Sequence, residues 1–205
     1  MKLKHILAII TLFIIFILAI TISYSSKVFA GLENNIFRLH ILANSDSEED
    51  QALKLLVRDG ILDYMKEINK NSTNKDLTIQ NTKNNLDEIK ARCEQILREN
   101  GSDYEVSVEI GNFYFPTKYY GNISLPAGYY DALRIKIGEA QGQNWWCSLF
   151  PPLCFIDISS GYLSEEDSQI LEDNLTEEEF MLISSTSPDI KLKFKILELL
   201  NRKER

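Results

Sequence analysis

Residues 144–155 contain both tryptophans of the chain, two of its three cysteines and two of its five prolines. Side chains of adjacent residues point to opposite faces of a strand, so Trp145 and Trp146 cannot share one packing layer. Pro151 and Pro152 lack backbone N–H groups and restrict the residues before them, which excludes a helix or a central strand. The segment is therefore expected to be a stiff apolar loop or sheet edge, packed on the core or presented to a partner.

The N-terminal segment, residues 1–30, indicates the compartment. Lys2 and Lys4 precede an uncharged apolar run, residues 6–23, and a small-residue pattern ending at Ala30 follows it. At about 18 residues the run reaches the lower bound of a membrane span. Two interpretations stay open: a signal peptide cleaved after Ala30, or an uncleaved N-terminal membrane anchor. Basic residues ahead of the run favour an inside N-terminus, so both interpretations place the rest of the chain outside the cytoplasm.

The remainder of the chain is long enough for one domain with a hydrophobic core. The net charge of the whole chain is −8, and leaving out Lys2, Lys4 and Lys27 of the leader makes it −11. Like charges repel at long range, so this balance argues against nucleic acid, anionic lipid and anionic wall polymers as ligands.

Three cysteines in an exported chain predict one disulfide and one free thiol. Cys147 and Cys154 flank the two prolines, which makes a local bridge between them plausible. Cys93 lies among apolar residues at helical spacing and is expected to be a buried free thiol. We expect no metal site, because the only histidines are His5 and His40 and the chain has no CxxC pair.

Hydrophobic periodicity gives the order of elements. It predicts a strand over 36–42, helices over 47–69 and 78–99, and strands over 104–110, 113–115 and 131–137. This order predicts a single α+β domain whose mixed or antiparallel sheet carries two helices on one face. The resulting division is an export segment over 1–30, an exported domain over 31–160, and a C-terminal helical extension over 161–205 packed on that domain.

The sharpest catalytic hypothesis pairs His40 with Asp46 or Asp50 as acid and base. A histidine partly exposed on a strand, next to carboxylates that cap a helix, explains the same pattern without catalysis. The chain has no GxSxG, HExxH or phosphate-binding glycine motif. We therefore expect no enzyme activity, no catalytic residues and no cofactor.

The tryptophan-rich segment has three interpretations that overlap. It fills the core, it offers rigid aromatic area to a protein partner at low entropic cost, or it lines a small-ligand site. Because the two tryptophans are adjacent, one can face inward while the other faces outward.

Two blocks of sequence resemble the stage II sporulation protein R family of endospore-forming Firmicutes. The first runs from Arg38 through the LHILANSDSEEDQ stretch to Asp59. The second begins at Leu125 with LPAGYYDALR and ends with the segment at 144–155. With the residues between them, the resemblance covers Phe37 to Asp157.

The resemblance implies a secreted signalling protein of sporulation rather than a catalyst. Family members are exported from the forespore into the intermembrane space of the sporulation septum. There they act in sigma-E activation, as activators of a membrane-embedded aspartic protease that processes pro-sigma-E. The family supplies no catalytic residues to carry over.

We expect the protease to contact the tryptophan-rich segment and the corner where the first strand meets the first helix of the domain. The expected partner-binding residues are Arg38, His40, Asn44, Asp46, Asp50, Trp145, Trp146, Phe150 and Pro151. The rival classes are an exported cell-wall-directed enzyme or ligand-binding domain, and a septal scaffold.

Overall fold

The computed structural model describes residues 2–120, 122–155 and 165–184. The elements in chain order are α1 (Lys2–Asn35), β1 (Phe37–Leu42), α2 (Glu48–Ile68), α3 (Lys75–Asn84), α4 (Leu86–Glu99), β2 (Val106–Phe115), β3 (Lys118–Tyr120), β4 (Ile123–Leu125), β5 (Gly128–Ile137), β6 (Asn144–Phe150), a 3-10 turn (Leu153–Phe155), α5 (Glu165–Asn174) and α6 (Glu177–Ser184). Of the predicted C-terminal extension, residues 161–164 and 185–205 lie outside the described residues.

Four strands form a mixed sheet in the order β2-β5-β1-β6, and β3 and β4 form a separate hairpin. Strand β1 is parallel to β5 and antiparallel to β6, and β2 is antiparallel to β5. The predicted α+β class with a mixed sheet is confirmed. Strand β6 lies at an edge of the sheet and ends at Phe150, directly before Pro151, whose missing N–H group therefore interrupts no strand pairing.

The two faces of the sheet differ in what covers them. On the first face, Arg58 of α2 lies over the ring of Trp145, with its guanidinium carbon 4.3 Å from the ring centroid. Trp145 pairs with Ile41, so this helix-covered face contains the alternate β1 residues Phe37, Leu39 and Ile41, all fully buried. The core on this side includes Val57, Ile61, Ile89, Cys93, Leu97, Leu133 and Ile135.

Local hydrogen bonds set the helix boundaries. Ser47 caps α2 by accepting the Asp50 N–H, so the cap lies two residues after Ser45, where a capping-box pattern begins. The single helix predicted over 78–99 is instead divided into α3 and α4 at Asn85. The Asn85 side chain donates to the Asn81 carbonyl and accepts from the Tyr64 hydroxyl, and such local bonds compete with helix continuation.

The last turns of α1 belong to the folded domain. Phe29 and Leu32 are buried, and Leu32 is part of the core cluster. The Glu33 carboxylate accepts the Tyr129 N–H at 3.0 Å, and the Asn35 amide donates to the Glu179 carboxylate of α6 at 3.1 Å. The apolar helix is therefore continuous with a final segment whose side chains pack on and hydrogen-bond to the domain.

One described helix, α1, is long and apolar enough to cross a membrane, with a mean hydropathy of 3.0 over its most apolar window. None of that window is buried by the rest of the chain. A signal sequence meets the same criteria of length and composition as an anchor.

Candidate partner-binding surface

The two adjacent tryptophans lie on opposite faces of the edge strand. Trp145 packs on Arg58 of α2, and Trp146 stacks on His40 with ring centroids 3.7 Å apart and an interplanar angle of 14°. Phe115 meets the Trp146 ring edge-on at 4.8 Å. The alternation of a strand has separated two identical side chains: one belongs to the helix-covered layer and the other to the second face of the sheet.

His40 is buried beneath Trp146 and is only 6% exposed, in contrast to the partial exposure expected from the sequence. Its Nε2 lies 2.9 Å from the Asn144 Oδ1. The pKa of His40 is lowered to about 4, mainly by burial and also by the nearby cations Arg134, Arg38 and Lys136, while the Asn144 bond opposes the shift. The imidazole is therefore neutral at pH 7, and its hydrogen-bond partner is an amide rather than a carboxylate.

Arg38 lies deeper on the same face and is fully buried. Its guanidinium donates to the Tyr120 hydroxyl at 2.9 Å and packs over the rings of Phe115 and Tyr130 at 4.2 and 5.1 Å. Burial lowers the pKa of Arg38, and the two tyrosines oppose that shift. Among the described residues, its Nη1 has no hydrogen-bond partner. Arg38 is therefore a buried cation on the second face of the sheet, with one nitrogen left without a described partner.

Further along the same face, β5 exposes two more cations. The Arg134 Nη2 and the Lys136 Nζ both lie 2.7 Å from the same Glu109 oxygen on β2. The Nζ of Lys118, on β3, lies 5.8 Å from the Trp146 ring centroid. We call Lys118, Arg134, Lys136, His40 and Trp146 the basic sheet face.

The strand–helix corner, residues 43–51, uses its polar side chains internally. Asp50 is 5% exposed and accepts from the Asn44 amide at 2.9 Å and from the Ser45 hydroxyl at 2.5 Å. The hydrogen bond from Ser45 lowers the pKa of the Asp50 carboxyl, the bond from Asn44 adds to this shift, and burial partly opposes it. Asp46 accepts the Gln143 N–H at 2.7 Å, which ties the corner to the turn before β6.

This corner also supplies backbone partners to the turn between β5 and β6. The Asn44 Oδ1 accepts the Glu139 N–H at 2.9 Å, and the Asn44 carbonyl accepts the Gln141 N–H at 3.1 Å. Gly138 has a φ of 55°, and a Cβ there would come within 2.3 Å of the Asn44 side chain, so glycine fits this position. The corner is a network that fixes one end of the sheet.

Cys147 and Cys154 form a disulfide with Cα atoms 5.2 Å apart, the pairing that the sequence favours. Cys93 is buried and free, and burial raises the pKa of its thiol to about 12. Phe150 is half-buried and Pro151 is buried, with a cis peptide bond between them. The bridge connects β6 to the 3-10 turn at the end of the edge strand.

Comparison with known proteins decides the family. A family model described as stage II sporulation protein R matches residues 33–160, more than half of the chain. The chain belongs to the stage II sporulation protein R family. The curated stage II sporulation protein R of Bacillus subtilis (strain 168) is 41% identical over 135 residues, which cover 66% of this chain. The chain spans about 60% of the length of that relative. No solved structure matches this chain.

The part of the chain that matches the stage II sporulation protein R family contains both the corner and the basic sheet face. Sequence reasoning placed His40 and Trp146 among the contact residues but missed Lys118, Arg134 and Lys136. Arg134 and Lys136 alternate on a strand that was correctly predicted. Their alternation places both side chains on one face of the strand and can be read from the sequence. The register that aligns them with His40 and Glu109 is visible only in the folded sheet.

The structure assembles no metal-binding group from the described residues: no three His, Cys, Asp or Glu side chains converge there. His40 forms no hydrogen bond with Asp46 or Asp50, the two carboxylates with which the catalytic hypothesis pairs it. His40 bonds Asn144, Asp50 bonds Ser45 and Asn44, and Asp46 bonds a backbone N–H. The family is a sporulation protein family and is not named for an enzyme activity.

Proposed function

We propose that this chain is the exported signalling protein that activates a membrane-embedded aspartic protease, which processes pro-sigma-E during endospore formation. Membership of the stage II sporulation protein R family carries the proposal. The apolar α1 supports export, and the Cys147–Cys154 disulfide suits an oxidising compartment outside the cytoplasm. The proposed location is the intermembrane space of the sporulation septum, reached by export from the forespore.

An activator of this kind works only if it binds the active state of the protease more tightly than the inactive state. It therefore needs a rigid surface of defined chemistry. The basic sheet face supplies one, because Trp146 is fixed by stacking on buried His40 and by lying on a strand paired with β1. Large aromatic side chains that are already ordered contribute contact area at low entropic cost.

Retention on the membrane is part of the proposal. The helix runs through Ala30 without interruption, and the domain buries Phe29 and Leu32 on either side of that residue. N-terminal sequencing of the exported protein tests this point. A sequence that begins upstream of Ala30 agrees with an anchor, whereas a sequence that begins at Gly31 shows cleavage and release.

The two tryptophans provide a matched pair for testing the function. The chain, the protease and pro-sigma-E are co-expressed in a bacterium that does not sporulate, and processing is measured by immunoblot. We expect Trp146→Ala to lower processing by about tenfold per exported folded molecule, as for the loss of one interfacial aromatic anchor. Trp145→Ala removes the same side chain from the helix-covered face and should leave processing near that of the unaltered chain.

Two results would contradict the proposal. One is full processing with Trp146→Ala in protein that is exported and folded, as judged by circular dichroism and disulfide formation. The other is turnover or binding of purified wall glycan by the chain in the absence of the protease. That second result would assign the chain to the rival class of exported wall-directed enzymes or ligand-binding domains.

A further inference from the structure

The basic sheet face opposes the overall charge of the protein. The whole chain has a net charge of −8. The face nevertheless brings Arg134, Arg38 and Lys136 close enough to His40 that all three disfavour its protonation. A local excess of cations on an acidic protein needs a specific explanation, since solubility alone is already provided by the acids elsewhere.

The carboxylate on this face does not balance its cations. Arg134 and Lys136 share a single oxygen of Glu109, and no described residue forms an ion pair with Lys118. Arg38 is a buried cation whose Nη1 is unpaired in the described part of the chain. Buried and half-buried charges are normally paired, so an anion is the complementary group.

One end of the face is covered and the other is accessible. At the covered end, the β3–β4 hairpin places the Tyr120 hydroxyl on the Arg38 guanidinium and the Trp146 carbonyl. At the accessible end, the Lys136 side chain is 35% exposed and its cross-strand partner Ser107 is exposed. A ligand can therefore reach Arg134 and Lys136 from solvent and continue towards Trp146.

The position of the face relative to α1 separates two classes of anion. Strand β5 begins next to α1, where Tyr129 bonds Glu33, and ends at the basic residues. The seven residue-to-residue steps from Tyr129 to Lys136 extend for about 23 Å along the strand. With α1 in a membrane, the cations therefore lie well away from the contact with that helix. This geometry favours a protein segment over lipid headgroups.

We propose that the basic sheet face binds an acidic peptide segment, rich in Asp and Glu, of a protein partner. Its carboxylates accept hydrogen bonds from Arg134 and Lys136 in exchange for part of the Glu109 interaction, and its backbone or apolar side chains pack on Trp146. This inference rests on the proposed function, because the protein that carries the acidic segment is taken to be the protease.

The experiment uses the full chain in micelles of an uncharged detergent and a fluorescein-labelled octaglutamate peptide, followed by fluorescence anisotropy. Octaglutamine is the uncharged control peptide. We expect octaglutamate to bind and octaglutamine not to bind, with weaker binding as NaCl is raised, because salt screens exposed charges. The double variant Arg134→Gln and Lys136→Gln should weaken octaglutamate binding by at least about tenfold.

Helix α4 provides a matched control for charge. Lys90 and Arg98 also share one carboxylate, Glu94, and lie on the solvent side of their helix. Lys90→Gln with Arg98→Gln changes the net charge by the same amount and should leave binding unchanged. Conversely, Glu109→Gln should tighten binding by a few-fold, because it removes the competing carboxylate without removing a cation.

Equal loss of binding in both double variants, or equal binding of the two peptides, would overturn the assignment. Displacement of octaglutamate by the same concentration of soluble dihexanoyl phosphatidylserine, but not by free glutamate, would assign the face to lipid headgroups instead. Peptide binding and protease activation are measured separately. Loss of peptide binding with normal processing refutes this inference alone, whereas a chain that binds peptide but never promotes processing refutes the proposed function alone.

Discussion

The strand–helix corner and the basic sheet face both lie within the family-matching residues 33–160 but differ in how their polar groups are satisfied. At the corner, Asp50 is met by Asn44 and Ser45, and Asp46 by a backbone N–H. On the basic sheet face, Arg134 and Lys136 converge on a single carboxylate oxygen. The carboxylates of the corner have hydrogen-bond partners within the fold, whereas the cations of the face outnumber the carboxylate that pairs with them.

This difference leads us to expect the partner contact at the basic sheet face rather than at the corner. The LANSDSEEDQ block is the more conspicuous polar motif in the sequence, yet its side chains hold the β5–β6 turn and the start of α2. Arg134 and Lys136, which share one carboxylate oxygen, alternate on β5, and Arg134 is the last residue of the LPAGYYDALR block. A motif whose polar groups bond each other stabilises the fold, and one whose charges are left unbalanced is available to a partner.

The largest expected effect falls at the corner. Asp50→Ala should lower the free energy of unfolding by about 2 kcal/mol, because it leaves the half-buried donors of Asn44 and Ser45 without their acceptor. Urea unfolding monitored by tryptophan fluorescence measures this change. Processing of pro-sigma-E per folded molecule should stay the same, and a loss of processing in stably folded Asp50→Ala protein would place the corner in the interface after all.

A smaller effect is expected from His40, beneath the basic sheet face. Its pKa is about 4 in the folded protein and near 6.5 in an unfolded chain, so the unfolded state takes up the proton first as pH falls. Stability is therefore complete above pH 6.5 and decreases between pH 6.5 and 4, by at most about 1.4 kcal/mol per pH unit.

His40→Gln isolates this contribution, because glutamine keeps a hydrogen-bonding side chain next to Asn144 and does not titrate. The difference in unfolding free energy between the two proteins should change with pH only between about 4 and 6.5. A difference that does not vary with pH would mean that His40 has the same pKa in the folded and unfolded states, which would contradict its burial as a neutral imidazole.

Much of the fold was predictable from the sequence. Phe37, Leu39 and Ile41 alternate on a strand, Ser47 begins a helix, and Gly101 ends one with a φ of 78°. The division of the second helix at Asn85 was not predictable, because it depends on a hydroxyl from Tyr64 on another helix. Sequence periodicity describes one element at a time and carries no information about such partners.

The candidate site was predictable only in part, for a related reason. Adjacent tryptophans on a strand must point to opposite faces, so the sequence was enough to predict that the two rings would be separated. Which ring meets α2 depends on the pairing of Trp145 with Ile41, a register between segments about 100 residues apart. The burial of Arg38 likewise depends on Tyr120 of the β3–β4 hairpin, and that of His40 on Trp146 of β6, contacts that no local pattern encodes.

Site-specific photocrosslinking to the co-expressed protease tests the central claim most directly. A benzophenone amino acid replaces Ser107, the exposed and uncharged neighbour of Lys136 on the basic sheet face, or Asp46 at the exposed rim of the corner. We expect a crosslinked product from position 107 that is lost with Arg134→Gln and Lys136→Gln, and none from position 46. A product from position 46 with none from position 107 would contradict that claim.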